Sequence, residues 1–566
     1  MRSANARFAR HHSKSFLADH FLACAWIVVW LCGAGSGQVV HPALPSENQT
    51  NVIHGTVVNA VTQEPIGRAL VHSTDNRYAT LTDGEGHFEF TLPESAMAGN
   101  FLTLMAQRPG FIDDPNGPAQ LMASPGSALR IPLIPEALIK GRVTIAASEP
   151  ARGINLELLI RRVQDGMPRW MPQASVITNS NGEFRFAELP AGAYKLLTHE
   201  WMDNDPLSNL PGTQTFGFPP VYYPNGSDFS AAVPIPINAG QTLQADMSLV
   251  RQPYYPVRVP VVNAGENRGF NITVSPQGQH GPGYALGFNQ ANHAIEGSLP
   301  AGKYLVEAAS FGPTSTSGSV HLTVGGGATE GPTMVLAPDN SIPVNVKEEF
   351  TNDASPRSGT WNTGRTFSNR GPRLDVYMNA EPVDDFVPRG AGSIRQPTGP
   401  EDESLVLQNL APGRYWLRIG TARGYVASAT MGGTDLLREP LVVVPGSGTP
   451  IDITLRDDSA KLDGTLANFA PKQALPGLSS PVGFVECIPM PDSHGQFLEI
   501  PISPDGTFDV MNVTPGAYRV IAFSKPERDI PYRDPEAMKA YEAKGQVVNL
   551  APGQKVTVQL QQISSR

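Results

Sequence analysis

The chain has 566 residues and 40% hydrophobic content, enough for packed cores in roughly four domains. Its formal charge of −10, with no basic cluster, excludes nucleic acid and anionic lipid surfaces as partners. Only 17% of residues are charged, while Gly and Pro number 55 and 53; this excludes a mainly helical protein and favours many short strands joined by turns.

Residues 1–36 read as a signal peptide. Arg2, Arg7, Arg10 and Lys14 precede an apolar run from Phe21 to Leu31, and Ala34 and Ser36 place small residues before Gly37. The run is shorter than the roughly 20 residues of a membrane span, and no second hydrophobic segment follows. The expectation is export to the periplasm, the outer surface or the medium, with no membrane span beyond the signal segment; the alternative to its cleavage is retention as an anchor. Residues 37–50 read as a linker. Of three cysteines only Cys487 lies beyond the signal; it alternates with Val485 in a strand pattern and reads as a buried small hydrophobe.

One short signature then recurs. It reads Leu189-Pro190-Ala191-Gly192-Ala193-Tyr194, Leu299-Pro300-Ala301-Gly302-Lys303-Tyr304, Leu410-Ala411-Pro412-Gly413-Arg414-Tyr415 and Val513-Thr514-Pro515-Gly516-Ala517-Tyr518. The glycines are about 110 residues apart, the size of a small domain. Leu92-Pro93, with Gly99 and Phe101 displaced, is a degenerate fifth copy. A proline presets φ for a turn, the glycine is expected at φ > 0, and the tyrosine opens an alternating strand. A buried ring whose hydroxyl bonds back to the corner would pin it. Gly192, Tyr194, Gly302, Tyr304, Gly413, Tyr415, Gly516 and Tyr518 are therefore read as structural corner residues.

The copies delimit five β-sandwiches: 51–135, 136–250, 251–338, 339–457 and 458–566. The first opens with Ile53-His54-Gly55-Thr56-Val57, continues through Pro65-Ile66-Gly67-Arg68-Ala69-Leu70-Val71 and turns at Thr82-Asp83-Gly84-Glu85-Gly86 into His87-Phe88-Glu89-Phe90. The second repeats the hairpin at Asn181-Gly182 and the fifth at Asp505-Gly506-Thr507-Phe508. Short linkers make this a linear array of semi-rigid beads. One helix is expected over 535–544, with Asp534 as N-cap and Pro535 at its first position.

These residues resemble the carboxypeptidase regulatory-like domain, a transthyretin-like seven-stranded sandwich within the carbohydrate-binding-like folds. The resemblance is clear in the first, second and fifth repeats and weak in the third and fourth. It implies an all-β fold of Ig-like or transthyretin-like sandwiches in tandem. It does not imply peptidase activity, because that belongs to a separate zinc domain absent from this sequence.

Searches for chemistry give no catalytic residues, no metal ligands and no cofactor. There is no His-Glu-x-x-His, Cys-x-x-Cys or Gly-x-Ser-x-Gly. Gly297-Ser298-Leu299-Pro300-Ala301-Gly302-Lys303-Tyr304 mimics a phosphate loop, but Tyr304 stands where Ser or Thr must reach magnesium, and a strand follows instead of a helix. The polar insertions 348–371 and 383–402 interrupt the fourth sandwich. The loop 201–231 in the second is aromatic: Trp201, Tyr222 and Tyr223, with Asp203, Asn204 and Asn225 nearby, are the candidate ligand-binding residues, suited to stacking on sugars. The alternative is that these rings cushion a neighbouring domain. The functional expectation is an exported, non-catalytic protein that binds polysaccharide or scaffolds at the cell envelope. Its alternative is a structural spacer or an accessory to envelope proteins such as an outer-membrane transporter.

Overall fold

A computed structural model describes residues 52–564 except 92–101, 114–120, 124–127, 146–148, 204–213, 264–268, 279–280, 311–314, 352–356, 361–365, 370–375, 387–391, 396–403, 470–480 and 528. The signal segment, the linker, the degenerate Leu92-Pro93 copy and much of the polar insertions lie outside the described residues.

The described chain is a tandem repeat of β-sandwiches, and one pairing rule runs through it. An opening strand pairs antiparallel with the strand that leads into the corner and parallel with the closing strand. Val52–Asn59 lies between His87–Thr91 and Ala128–Pro135. Ala137–Ile145 lies between Glu183–Leu189 and Thr242–Gln244 with Met247–Ser248. Gln252–Val262, Asn340–Glu349 and Ala460–Leu466 repeat the arrangement. The second sheet is built on the corner strand: Gly192–Thr198, Gly302–Ser310, Gly413–Thr421 and Gly516–Phe523 each pair antiparallel with an earlier strand. In the fourth sandwich Gly392–Arg395 pairs with strands of both sheets and joins them into one.

Alternation puts one face of each strand inside. His87–Thr91 runs exposed–buried, with Phe88 and Phe90 in the first core; Ile451–Arg456 buries Ile451, Ile453 and Leu455 in the fourth. Each fully buried aliphatic or aromatic side chain contributes about 1.5–3 kcal/mol, so each core must rely on a dozen or so such residues. Cys487 belongs to the fifth core, and burial pushes its thiol up to about 12.

A repeated contact explains why three copies are so alike in sequence. Gly55 stands opposite Phe88, Gly141 opposite Phe184 and Gly464 opposite Phe508. A Cβ on Gly141 would sit 2.1 Å from the Ala245 carbonyl oxygen and 2.8 Å from Cζ of Phe184, and Gly55 and Gly464 are equally confined. The glycine lets the closing strand and the ring approach together. In the fourth sandwich Val344 faces Leu405 instead.

The C-terminal helix is shorter than expected. The α-helix covers Pro535–Met538 and continues only as a 3-10 turn, Lys539–Tyr541; Asp534 caps it by accepting from the Glu536 and Ala537 amides. Gly545, at φ +68°, sits where a Cβ would be 2.2 Å from the Val520 carbonyl oxygen, so the chain re-enters the sheet there.

Sandwiches distant in sequence also touch. A long hairpin, Asn155–Gln164 and Met167–Ile177, leaves the second sandwich and ends at Asp165–Gly166 against the fifth. Asp165 accepts from the Tyr532 hydroxyl at 2.5 Å and from Arg533 at 3.2 Å, and Arg162 pairs with Asp529 at 3.3 Å. The beads follow one another along the chain, and this hairpin ties the second to the fifth.

Candidate functional site

The corner is the same in all four signature copies. The hydroxyl of Tyr194 donates to the Pro190 carbonyl (2.6 Å), Tyr304 to Pro300 (3.0 Å), Tyr415 to Ala411 (2.8 Å) and Tyr518 to Thr514 (2.7 Å). Each ring is buried. The φ > 0 expected of the glycine holds in the last copy alone, Gly516 at +156°, and the residue in the left-handed helical region is a different one. It lies four residues earlier, at Glu188 (φ +56°), Asn409 (+64°) and Asn512 (+61°). Each coincides with a slip in strand register, a β-bulge that bends the strand into the corner. The second copy, 299–304, has no slip and no such residue. At two corners the glycine provides space: a Cβ on Gly302 would lie 3.0 Å from the Tyr304 hydroxyl and one on Gly516 2.2 Å from Ser493 Oγ, whereas at Gly192 the nearest atom is 3.4 Å away. Tyr518→Phe should cost about 1 kcal/mol, the usual worth of one hydrogen bond, read as a lowered urea midpoint with an unchanged slope.

The aromatic loop folds over its own corner strand. Tyr223 N–H donates to the Leu196 carbonyl and Thr198 N–H to that of Val221, both at 2.9 Å, so residues 221–223 act as an extra edge strand. Tyr222 is 2% exposed, and its hydroxyl donates to the Pro282 carbonyl in the third sandwich. Phe229 packs edge-on to Tyr222, to Trp170 of the long hairpin, and to Phe386 of the fourth sandwich, 4.7 Å between centroids. Lys195 Nζ lies 4.0 Å from the Phe229 ring centre and donates to the Phe229 carbonyl at 2.8 Å. Nearby, Arg169 pairs with Asp385 at 3.5 Å and donates to the Pro382 carbonyl.

The candidate ligand-binding residues are thus divided. Trp201 is half-buried and stacks on Phe218 at 5.3 Å, and Tyr223 is half-buried against the second core. Asp203 pairs with Arg251 at 2.7 Å, and that guanidinium covers the Phe216 ring at 3.9 Å. Asn225 is exposed, and Asn204 lies outside the described residues. With Tyr222 withdrawn from solvent, the three rings do not form one open platform. What the sequence did not mark is Phe386, Trp170 and the hairpin tip. Asp165-Gly166 between two strand-like runs was the available signal for that hairpin.

Glu200 sits at the junction of the second and third sandwiches. Its Oε1 accepts from Ala285 N–H at 2.7 Å, while Oε2 is buried with no hydrogen-bond partner among the described residues. Burial raises its pKa to about 7, against smaller lowering by the Ala285 amide and His199. Because the folded pKa lies above the unfolded value, the folded state holds the proton more tightly. Stability therefore falls as pH rises from the ordinary glutamate range to about 7, by roughly 2–3 kcal/mol. Glu200→Gln should abolish most of that slope and be the more stable protein above pH 7, measured by urea unfolding across the range.

Among the described residues no three His, Cys, Asp or Glu side chains gather as a metal site. No helix among them is long and apolar enough to cross a membrane.

No protein-family model matches the chain, and no curated protein sequence does. Among solved structures, the Bacillus anthracis TIE protein is 12% identical over 50% of this chain, with a TM-score of 0.15; the match spans 51%, about half, of that protein. A Streptococcal ancillary pilin is 13% identical over 50% of this chain and 99% of its own, TM-score 0.18. The RrgB pilus protein from Streptococcus pneumoniae is 8% identical over 76% and 98%, TM-score 0.14. TM-scores this low carry no inference for the chain, and the functional reading rests on its own geometry.

Proposed function

We propose that this chain is an exported, non-catalytic scaffold whose β-sandwiches are held in fixed relation by aromatic and ionic junctions. The observation that carries the reading is the burial of Tyr222 and the packing of Phe229 against Trp170 and Phe386, which spends the most aromatic loop of the chain on joining the second, third and fourth sandwiches. The shared glycine–phenylalanine contact supports a carboxypeptidase regulatory-like origin for the first, second and fifth sandwiches.

Polysaccharide binding is the competing reading, and half-exposed Trp201 is its remaining anchor. Affinity electrophoresis and a glycan array on the full chain separate the two. The scaffold reading expects no retention on any polysaccharide. Retention that is lost in Trp201→Ala, with the melting temperature unchanged, would replace it with sugar binding.

A further inference from the structure

The hairpin tip Asp165–Gly166, the strand Gly413–Thr421, and the fifth sandwich from Ile488 to Phe497 with Tyr532 and Arg533 enclose a cleft of about 1190 Å³. That exceeds the roughly 300–1,000 Å³ of a small-molecule pocket. Four consecutive residues, Trp416, Leu417, Arg418 and Ile419, line it. Side chains of a strand alternate between faces, so an unbroken run reaches one cavity through its backbone edge.

The hydrogen bonds fix which groups face that way. The Arg414 carbonyl accepts from Val383 N–H on the side of Val376–Pro382, whereas the Ile419 carbonyl accepts from Gln496 Nε2 at 2.7 Å on the other. Peptide groups alternate along an antiparallel ladder, so those of Leu417 and Ile419 face the cleft. Leu441–Val443 covers this edge only from Gly413 to Tyr415, and among the described residues no strand pairs beyond it.

The equivalent edge is covered in three other sandwiches. Residues 221–223 cover it in the second, Thr316–Val324 along the corner strand in the third, and Gln562–Ile563 beside Ala522 and Phe523 in the fifth. In the fourth, among the described residues, no strand takes that place, and only the Gln496 side chain reaches the edge, at the Ile419 carbonyl.

The lining is cationic in an acidic chain: Arg418, Arg438, Arg519, Arg533 and Lys539 outnumber Asp165 and Glu542. Arg533 is committed to Asp165 and to the Trp416 ring, 4.3 Å away, Arg519 to the carbonyls of Glu542 and Lys544, Arg438 to the Asp492 carbonyl and Asp435, and Lys539 to Glu536. Arg418 is exposed on the open strand itself. The Trp416 indole N–H is buried with no acceptor among the described residues.

We propose that this cleft takes an extended acidic peptide, which adds as a strand along Leu417–Thr421, displaces the Gln496 amide from the Ile419 carbonyl and sets a carboxylate against Arg418. The open backbone edge favours a peptide over a glycan, because only a peptide returns alternating N–H and C=O groups at strand spacing.

The test titrates the full chain into a fluorescein-labelled octapeptide of alternating glutamate and valine, followed by anisotropy. Saturable binding is expected, weakened at least tenfold in Arg418→Glu. One of two peptides N-methylated at odd or at even positions should lose at least as much, and a lysine–valine peptide should not bind. Arg418 is exposed, so the variant should keep the wild-type melting temperature. Three results overturn the proposal: no binding of the glutamate–valine peptide at about 1 mM, parent-like affinity of both methylated peptides, or saturable binding only of an oligouronate.

Discussion

Gly141→Val should unfold the second sandwich at temperatures where the wild type is intact. The site has no room: a Cβ alone would lie 2.1 Å from the Ala245 carbonyl oxygen and 2.8 Å from the Phe184 ring. The ring could turn aside, but the carbonyl belongs to the closing strand beside Ala137–Ile145 and cannot move without breaking that pairing. Overpacking of a core costs about 1–3 kcal/mol when side chains can adjust; with backbone in the way the loss should be at least about 3 kcal/mol. Gly84→Ala is the control, since a Cβ there meets nothing within 4 Å. It should change stability by less than about 0.5 kcal/mol. Urea denaturation of both variants checks this. A Gly141→Val protein as stable as wild type would refute the role given to the glycine–phenylalanine contact.

Phe229→Ala should release the fourth sandwich from the second. The ring contacts Tyr222, Trp170, Phe386 and the Lys195 ammonium, groups drawn from four separate chain segments. Its removal leaves a cavity at the junction, and Lys195 loses the ring that covers it. Phe→Ala in a core costs about 3–5 kcal/mol; for this half-buried ring about 2–4 kcal/mol is expected, borne by the junction more than by either core. Limited proteolysis should then cut between the second and fourth sandwiches faster than in wild type, while both cores keep their resistance. Phe216→Ala, in the same loop but covered by Arg251, should leave the junction intact.

The repeats were legible because each sandwich must solve the same local problem. A corner needs a proline-glycine pair and a buried tyrosine, and a crowded strand crossing needs glycine under phenylalanine; both leave fixed spacings in sequence. The bulge before the corner was not legible, because glutamate and asparagine both serve at Glu188, Asn409 and Asn512, and register slip has no residue type of its own. The loop 201–231 stood out by its aromatic content, yet aromatic content does not say whether a ring meets solvent or a neighbour. That was decided by Phe386 and Pro282, both distant in sequence from Tyr222. The cleft was equally hidden: it is formed by three sandwiches, and at its open edge the described residues lack the strand that the counterparts have.

The second, fourth and fifth sandwiches are expected to open as one mechanical body rather than as independent beads. Native-state hydrogen exchange against increasing denaturant tests it most directly, because amides that open together share one free energy and one denaturant dependence. Core amides of Leu158 and Leu196, Ile453 and Leu455, and Val485 and Val520, all buried, should converge on a single isotherm in wild type and separate in Phe229→Ala. Three distinct isotherms already present in the wild-type chain would mean that the sandwiches open independently.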